Sequence, residues 1–237
     1  IVMKGKYHII IQNRRIKYEF DIKRNITIIK GDSATGKTTL MGMIRTYSRL
    51  GDSSGISLSC SKSCITLDNS NWEQVIDSSR ESIIFIDEDT TVVKTVDFAR
   101  KIRESDNYYV IITRENLPNL PYSIEEVYGI HTSGKYRGLE QTYNSLYKIY
   151  GNQEYDKKVE VIIVEDSNSG YEFYDAVKGV DVKCISAGGK TKIKNEIEKY
   201  IDKSVLVIAD GAAFGAEMNE VYLQCKSYPQ IKLYLPE

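Results

Sequence analysis

Seven short runs of β-branched and aromatic residues punctuate this 237-residue chain, and most of them stop at an acid, a glycine or a threonine. They are NITIIKG, SIIFIDED, NYYVIITREN, VEVIIVED, VDVKCIS, SVLVIAD and IKLYL. A run of four or five apolar residues without alternation is the pattern of a strand buried on both faces, which parallel sheets require. Segments of helical period separate the runs. GKTTLMGMIRTYSRL sets Leu40, Ile44 and Tyr47 on one face, TVVKTVDFARKIRES sets Val92, Val96 and Ala99 together, and KTKIKNEIEKYI repeats Ile193, Ile197 and Ile201 every four residues. Strand and helix in alternation predict an α/β fold with a parallel sheet in each half. Functional groups are then expected where the strands end. An N-terminal β-hairpin is expected in YHIIIQNRRIKYEFDI, turning at Asn13-Arg14, and a second in EVYGIHTSGKYRGLEQTY, turning at Gly134-Lys135. Two short strands are expected around Ile56 to Leu58 and Cys64 to Leu67, and two prolines make Leu117 to Tyr122 an irregular loop. Polarity rises at YGNQEYDKK, which predicts domains over 1–152 and 153–237.

Charge narrows the functional classes. The net charge is −1, with a surplus of basic residues before residue 150 and of acidic residues after it. Neither half is a polyelectrolyte binder, so contact with nucleic acid would need a local patch. The sequence has no long apolar run for a membrane span and no signal-peptide pattern, which leads to the expectation of a cytoplasmic protein without a membrane partner. Of the four cysteines, Cys60 and Cys64 form a C-x3-C pair that lacks companions at zinc spacing, so reduced structural thiols are expected.

The stretch GDSATGKT, from Gly31 to Thr38, follows a buried strand and opens an amphipathic helix. Glycines at Gly31 and Gly36 let the backbone wrap closely, so that consecutive N–H groups of Asp32, Ser33, Ala34 and Thr35 point at phosphate oxygens. The helix N-terminus adds partial positive charge. Lys37 is then expected on the β- and γ-phosphates, the Thr38 hydroxyl on Mg²⁺ and Thr39 near the α-phosphate. An acid ending a neighbouring buried strand should complete the site, and IIFIDED supplies Asp87 for the Mg²⁺ shell and Glu88 for polarising the attacking water. Thr113 or Arg114, ending the next strand, is placed to sense the γ-phosphate. From Ile26 to Arg114 the chain resembles the additional-strand class of P-loop NTPases, in which a Glu beside the metal-binding Asp serves as base. The absence of an N-K-x-D guanine-reading motif favours ATP. Arg80, Arg114 and Arg137 are candidates for an arginine finger. The L-S-G-G-Q signature of ABC-type ATPases is absent.

In the second half Glu165 ends one strand, Gly188-Gly189-Lys190 follows the next, and Asp210 ends the third, with Gly215 five residues on. This pattern resembles a Toprim domain, whose family motif is a Glu, a Gly-Gly-Lys-like turn and D-x-D-x-x-G. The resemblance spans Val159 to Leu235. It implies Mg²⁺ on Glu165 and Asp210, helped by Asp166 or Glu217. Ala212, however, stands where the family's second Asp belongs, which weakens the field for phosphodiester chemistry. The residues also admit plainer roles: Glu165 bonding the Ser167 to Ser169 turn, Asp210 capping a helix from Ala212, and Lys190, Lys192, Lys194 and Lys199 forming a solvated face. Gly189 and Lys190 touching a phosphate is the sharper alternative.

Together these readings predict a P-loop NTPase domain followed by a small Toprim-like α/β domain, with ATP and Mg²⁺ as cofactors. The pairing is loosely similar to OLD-family ATPase/nuclease proteins. ATP would be bound and hydrolysed, and its state would regulate a degenerate Toprim-like half that acts on nucleic acid or on a protein partner. A Mg²⁺-dependent nuclease, a small-molecule kinase with a lid over Gly134 to Gly138, and a non-catalytic ATP-binding module are the competing readings. Oligomeric state is left open.

Overall fold

The computed structural model describes residues 5–31, 36–133, 141–150 and 158–236. It divides into two compact units, one formed by Ile1–Leu120 with Glu126–Ile149, the other by Pro121–Glu125 with Tyr150–Glu237. The expected Gly134-Lys135 turn, the Gly134 to Gly138 lid, Arg137 and most of the polar stretch after Tyr150 lie outside the described residues, as do Asp32, Ser33, Ala34 and Thr35. Among the described residues no helix is long and apolar enough to cross a membrane.

The first unit contains, in chain order, β1 (Tyr7–Gln12), β2 (Ile16–Ile22), β3 (Ile26–Ile29), α1 (Lys37–Leu50), β4 (Ser57–Ser59), β5 (Cys64–Leu67), α2 (Trp72–Ser78), β6 (Ile83–Ile86), α3 (Val96–Glu104), β7 (Tyr108–Ile112), β8 (Val127–Thr132) and β9 (Thr142–Lys148). They form one nine-stranded sheet in the order β4-β1-β2-β9-β8-β3-β7-β6-β5. The run from β8 to β5 is parallel throughout. β3, β6 and β7, the continuous apolar runs, are buried along their whole length. The sheet is mixed, however, because the N-terminal hairpin and β9 join it: β1 is antiparallel to β2 and β4, β8 to β9, while β9 runs parallel to β2. A wholly parallel sheet would require the hairpin strands to stand apart from the crossover strands. Backbone hydrogen bonding instead continues from one set to the other.

The sheet is rolled. β4 and β5 occupy opposite edges, yet only residues 60–63 join them. Nine flat strands would hold the outer two about 38 Å apart, whereas the link can span at most about 18 Å. Tyr7 of β1 and Tyr108 of β7, five strands apart in the sheet, meet with ring centroids at 4.7 Å and hydroxyls at 3.1 Å. The concave side wraps α1, whose Leu40, Met41, Met43 and Ile44 are buried in one cluster with Ile9, Ile11, Phe20, Phe85 and Val110. Truncating such a fully buried side chain as Ile44 to Ala costs about 2–5 kcal/mol.

One helical face differs from expectation. Residues Thr91–Lys94 form a separate 3-10 turn, and α3 starts afresh with the Thr95 side chain accepting from Phe98 N–H. The restart changes the phase, so Val96 is 70 % exposed, and Ala99 points inward with Phe98 and Ile102 rather than with Val96.

The second unit contains β10 (Val161–Val164), α4 (Ser169–Val177), β11 (Lys183–Ser186), α5 (Ile193–Glu198), β12 (Val205–Ile208), α6 (Met218–Ser227) and β13 (Ile231–Tyr234). Its four strands are parallel in the order β11-β10-β12-β13. The chain steps one way from β10 to β11 and the other way from β11 to β12. Right-handed crossovers therefore put α4 on one face and α5 and α6 on the other. Val161, Ile163, Val205, Val207, Ile231 and Leu233 are buried, whereas Ile162, Leu206 and Lys232, which alternate with them, are only half-buried.

The short segment 121–125 is part of this unit. Tyr122 is 1 % exposed, its carbonyl accepts from Gly215 N–H at 3.1 Å, and Ile124 N–H donates to the Gly211 carbonyl at 3.2 Å. A Cβ on Gly215 would lie 2.3 Å from the Tyr122 ring, so glycine is needed at 215 for close packing.

Candidate functional site

β3, β6 and β7 run parallel with Ile29 opposite Ile112 and Ile86 opposite Ile111, so the residues that follow them gather along one sheet edge. These are Gly31, then Asp87 with Glu88, then Thr113 with Arg114. β7 lies between β3 and β6, so Asp87 is two strands from Gly31 rather than on the immediate neighbour.

Gly31 has φ 145° and Gly36 φ 88°, values that favour glycine. Gly36 opens α1, which has no side-chain cap and no acid in its first turn, leaving the first amides of the helix without a carboxylate partner from that turn. Lys37 is 5 % exposed, and its ammonium reaches back to the Gly31 carbonyl. Thr38 and Thr39 are exposed. Tyr18 of β2, which no sequence pattern singled out, donates its hydroxyl to the Gly36 carbonyl at 2.8 Å. Burial raises its phenol pKa above the ordinary value. Any Cβ at Gly36 would meet that hydroxyl at 2.8 Å.

Both acids face arginines. Asp87 accepts from Glu88 N–H at 2.9 Å through Oδ1, and its Oδ2 lies 3.3 Å from Nη2 of Arg45, which α1 carries two turns beyond Lys37. Glu88 takes a two-pronged pair from Arg114, at 3.0 and 3.1 Å. Thr113 is less available than the sequence suggests: it is buried, and its hydroxyl accepts from Glu115 N–H at 3.0 Å in the turn after β7. Arg80 donates to the Asp77 and Ser79 carbonyls at the end of α2, which commits it to that helix terminus. Lys30 is buried beside Asn116, 2.6 Å from its Oδ1, and burial lowers its pKa. The oxygen donors Asp87 and Thr38 are of the type that Mg²⁺ takes while keeping water and phosphate oxygens in its other positions.

In the second unit a cavity of about 550 Å³ opens at the C-terminal strand edge, between Glu165 after β10 and Asp210 after β12, with Gly188, Gly189, Tyr174 and Pro236 among its walls. It sits where the direction of chain winding reverses, the usual place for a ligand on an open parallel sheet. Glu165 Oε2 accepts from Asp210 N–H at 2.9 Å, and Asp210 Oδ1 accepts from Ala212 N–H at 2.9 Å. Asp210 thus ties the turn after β12, while α6 begins later, at Met218. Asp166, rather than Glu165, holds the following turn by accepting from Asn168 and Gly170 N–H groups, and these bonds keep its carboxyl below the ordinary range. Lys190 donates to the Ala213 carbonyl at 3.0 Å and lies 3.4 Å from Glu217, so its ammonium is committed inside the unit. Burial raises the Glu217 carboxyl pKa. No group of three or more His, Cys, Asp or Glu among the described residues is arranged to hold a metal. No family model, curated protein or solved structure matches the chain.

Proposed function

We propose that the first unit is a Mg²⁺-dependent ATP-binding and ATP-hydrolysing module of the P-loop type, and that its nucleotide state regulates the second unit, a degenerate Toprim-like domain. The observation that carries this reading is the strand order: β7 stands between the strand leading into Gly31 and the strand ending at Asp87, the insertion for which the additional-strand class is named. Gly31, Lys37 and the first turn of α1 would supply donors for phosphate oxygens. Thr38 and Asp87 would hold Mg²⁺, which neutralises charge on the transferred phosphoryl group. Arg114 occupies one lone pair on each Glu88 oxygen and so competes with water for the carboxylate. A γ-phosphate is a competing anion for Arg114, so its arrival frees the base.

Glu165, Asp166 and Asp210 of the second unit are held by backbone amides, which favours a binding role for its cavity over phosphodiester cleavage. The decisive experiment is thermal melting with and without Mg·ATP. At a hundred times the dissociation constant the ligand should stabilise the wild type by about 2.7 kcal/mol, and Lys37→Ala should remove the shift. An unshifted wild type overturns the reading.

A further inference from the structure

Cys60 and Cys64 bracket the turn through which the rolled sheet joins its two outer strands, β4 and β5. Cys64 belongs to the buried core, and Cys60 packs against that core while remaining partly exposed. The Cys64 thiol approaches the Lys62 carbonyl at 3.8 Å, folding the turn back on itself. The Cys60 sulfur is among the groups that act on the Cys64 thiol, so the two are near neighbours at this turn. The other cysteines, Cys184 and Cys225, belong to the second unit.

We propose that Cys60 and Cys64 are a redox-sensitive dithiol that small-molecule disulfides, such as oxidised glutathione, close to an intramolecular disulfide. Exposure sets the order of events. Burial and the neighbouring sulfur hold the Cys64 thiol protonated, so Cys60 attacks first as the thiolate. Its sulfur breaks the S–S bond of the reagent and forms a mixed disulfide, and the departing thiolate takes up a proton. Cys64 then gives its proton to solvent and attacks the Cys60 sulfur, which forms the protein disulfide and expels the second thiol. Two electrons leave the cysteine pair, and one reagent disulfide becomes two thiols. The new bond fixes the joint between β4 and β5.

Lys62 lies between the two cysteines, which makes the product readable. The full chain is incubated with millimolar oxidised glutathione, denatured, alkylated and digested with trypsin. The thiols open to alkylation should fall from four to two. Peptides 50–62 and 63–80 should remain joined without reductant and separate with it. Cys60→Ser should abolish the joined species, whereas Cys184→Ser and Cys225→Ser should leave it intact. An unresolved glutathione adduct on Cys60, loss of thiols at Cys184 or Cys225 in place of the pair, or four thiols still alkylated would each overturn the proposal.

Discussion

Each unit of this protein ends its parallel strands in carboxylates, but the two edges neutralise them by different means. In the first, Asp87 and Glu88 face the guanidinium groups of Arg45 and Arg114. In the second, Asp166 and Asp210 accept from backbone N–H groups of their own turns, and Glu165 accepts from the Asp210 N–H of the neighbouring one. A half-exposed arginine on a long stem can exchange one anion for another at small cost, since such solvent-exposed pairs contribute only about 0.2–1 kcal/mol. A backbone amide cannot turn away without unfolding its turn. The first edge is therefore built to trade partners with an arriving anion, and the second is built to hold its shape.

The sharpest way to break that contrast is to remove one acid from each edge. Glu88→Gln should slow phosphate release by about 10²–10⁴-fold while leaving the Mg·ATP melting shift in place. Asp210→Ala should leave phosphate release unchanged and lower stability by about 1 kcal/mol through loss of the acceptor for Ala212 N–H. If Asp210→Ala instead abolishes a Mg²⁺- or Mn²⁺-dependent cleavage of DNA or RNA by the wild type, the second edge is catalytic and the contrast fails. Arg45→Ala tests the first edge more gently. It should change the melting of the free protein by less than about 1 kcal/mol and lower the Mg²⁺ concentration that half-saturates the ATP-dependent shift. A rise in that concentration would mean that Arg45 helps the cation site rather than competing with it.

The smallest expected effect concerns pH. Burial holds the Glu217 carboxyl pKa above its unfolded value. A raised carboxyl binds its proton more tightly in the folded chain, so it favours folding below the unfolded pKa, and that contribution is lost as pH rises through the folded pKa. Glu217→Gln should consequently melt above the wild type at pH 8, with the gap narrowing as pH falls through the carboxylate range. A gap that widens in acid would show that the pairing with Lys190 outweighs burial.

Much of this was legible in the sequence because it is local. The apolar runs NITIIKG, SIIFIDED and SVLVIAD announce β3, β6 and β12, and the residue ending each run is fixed by the run itself. What was not legible is long-range. Nothing in residues 60–63 reveals that they join opposite edges of a sheet, because strand order depends on partners far away in the chain. Arg45 reads as one more solvated helix residue until Asp87 is placed beside it. Tyr18 looks like a hairpin residue, and its role appears only when β2 passes Gly36. The prolines around Leu117 to Tyr122 correctly mark an irregular segment. They give no sign that Tyr122 fills a core, since period-based reading finds no face in a stretch without regular structure.

The chain visits the second unit at residues 121–125, goes back to supply β8 and β9 to the first, and returns at Tyr150. Heredity and the bench are therefore both denied a clean place to cut. A fragment starting at 150 would leave behind the tyrosine that lies against Gly215, and one stopping at 149 would carry that ring with nowhere to put it. Gene fusion or domain shuffling at the obvious seam would damage both products, so these two halves are expected to have travelled together.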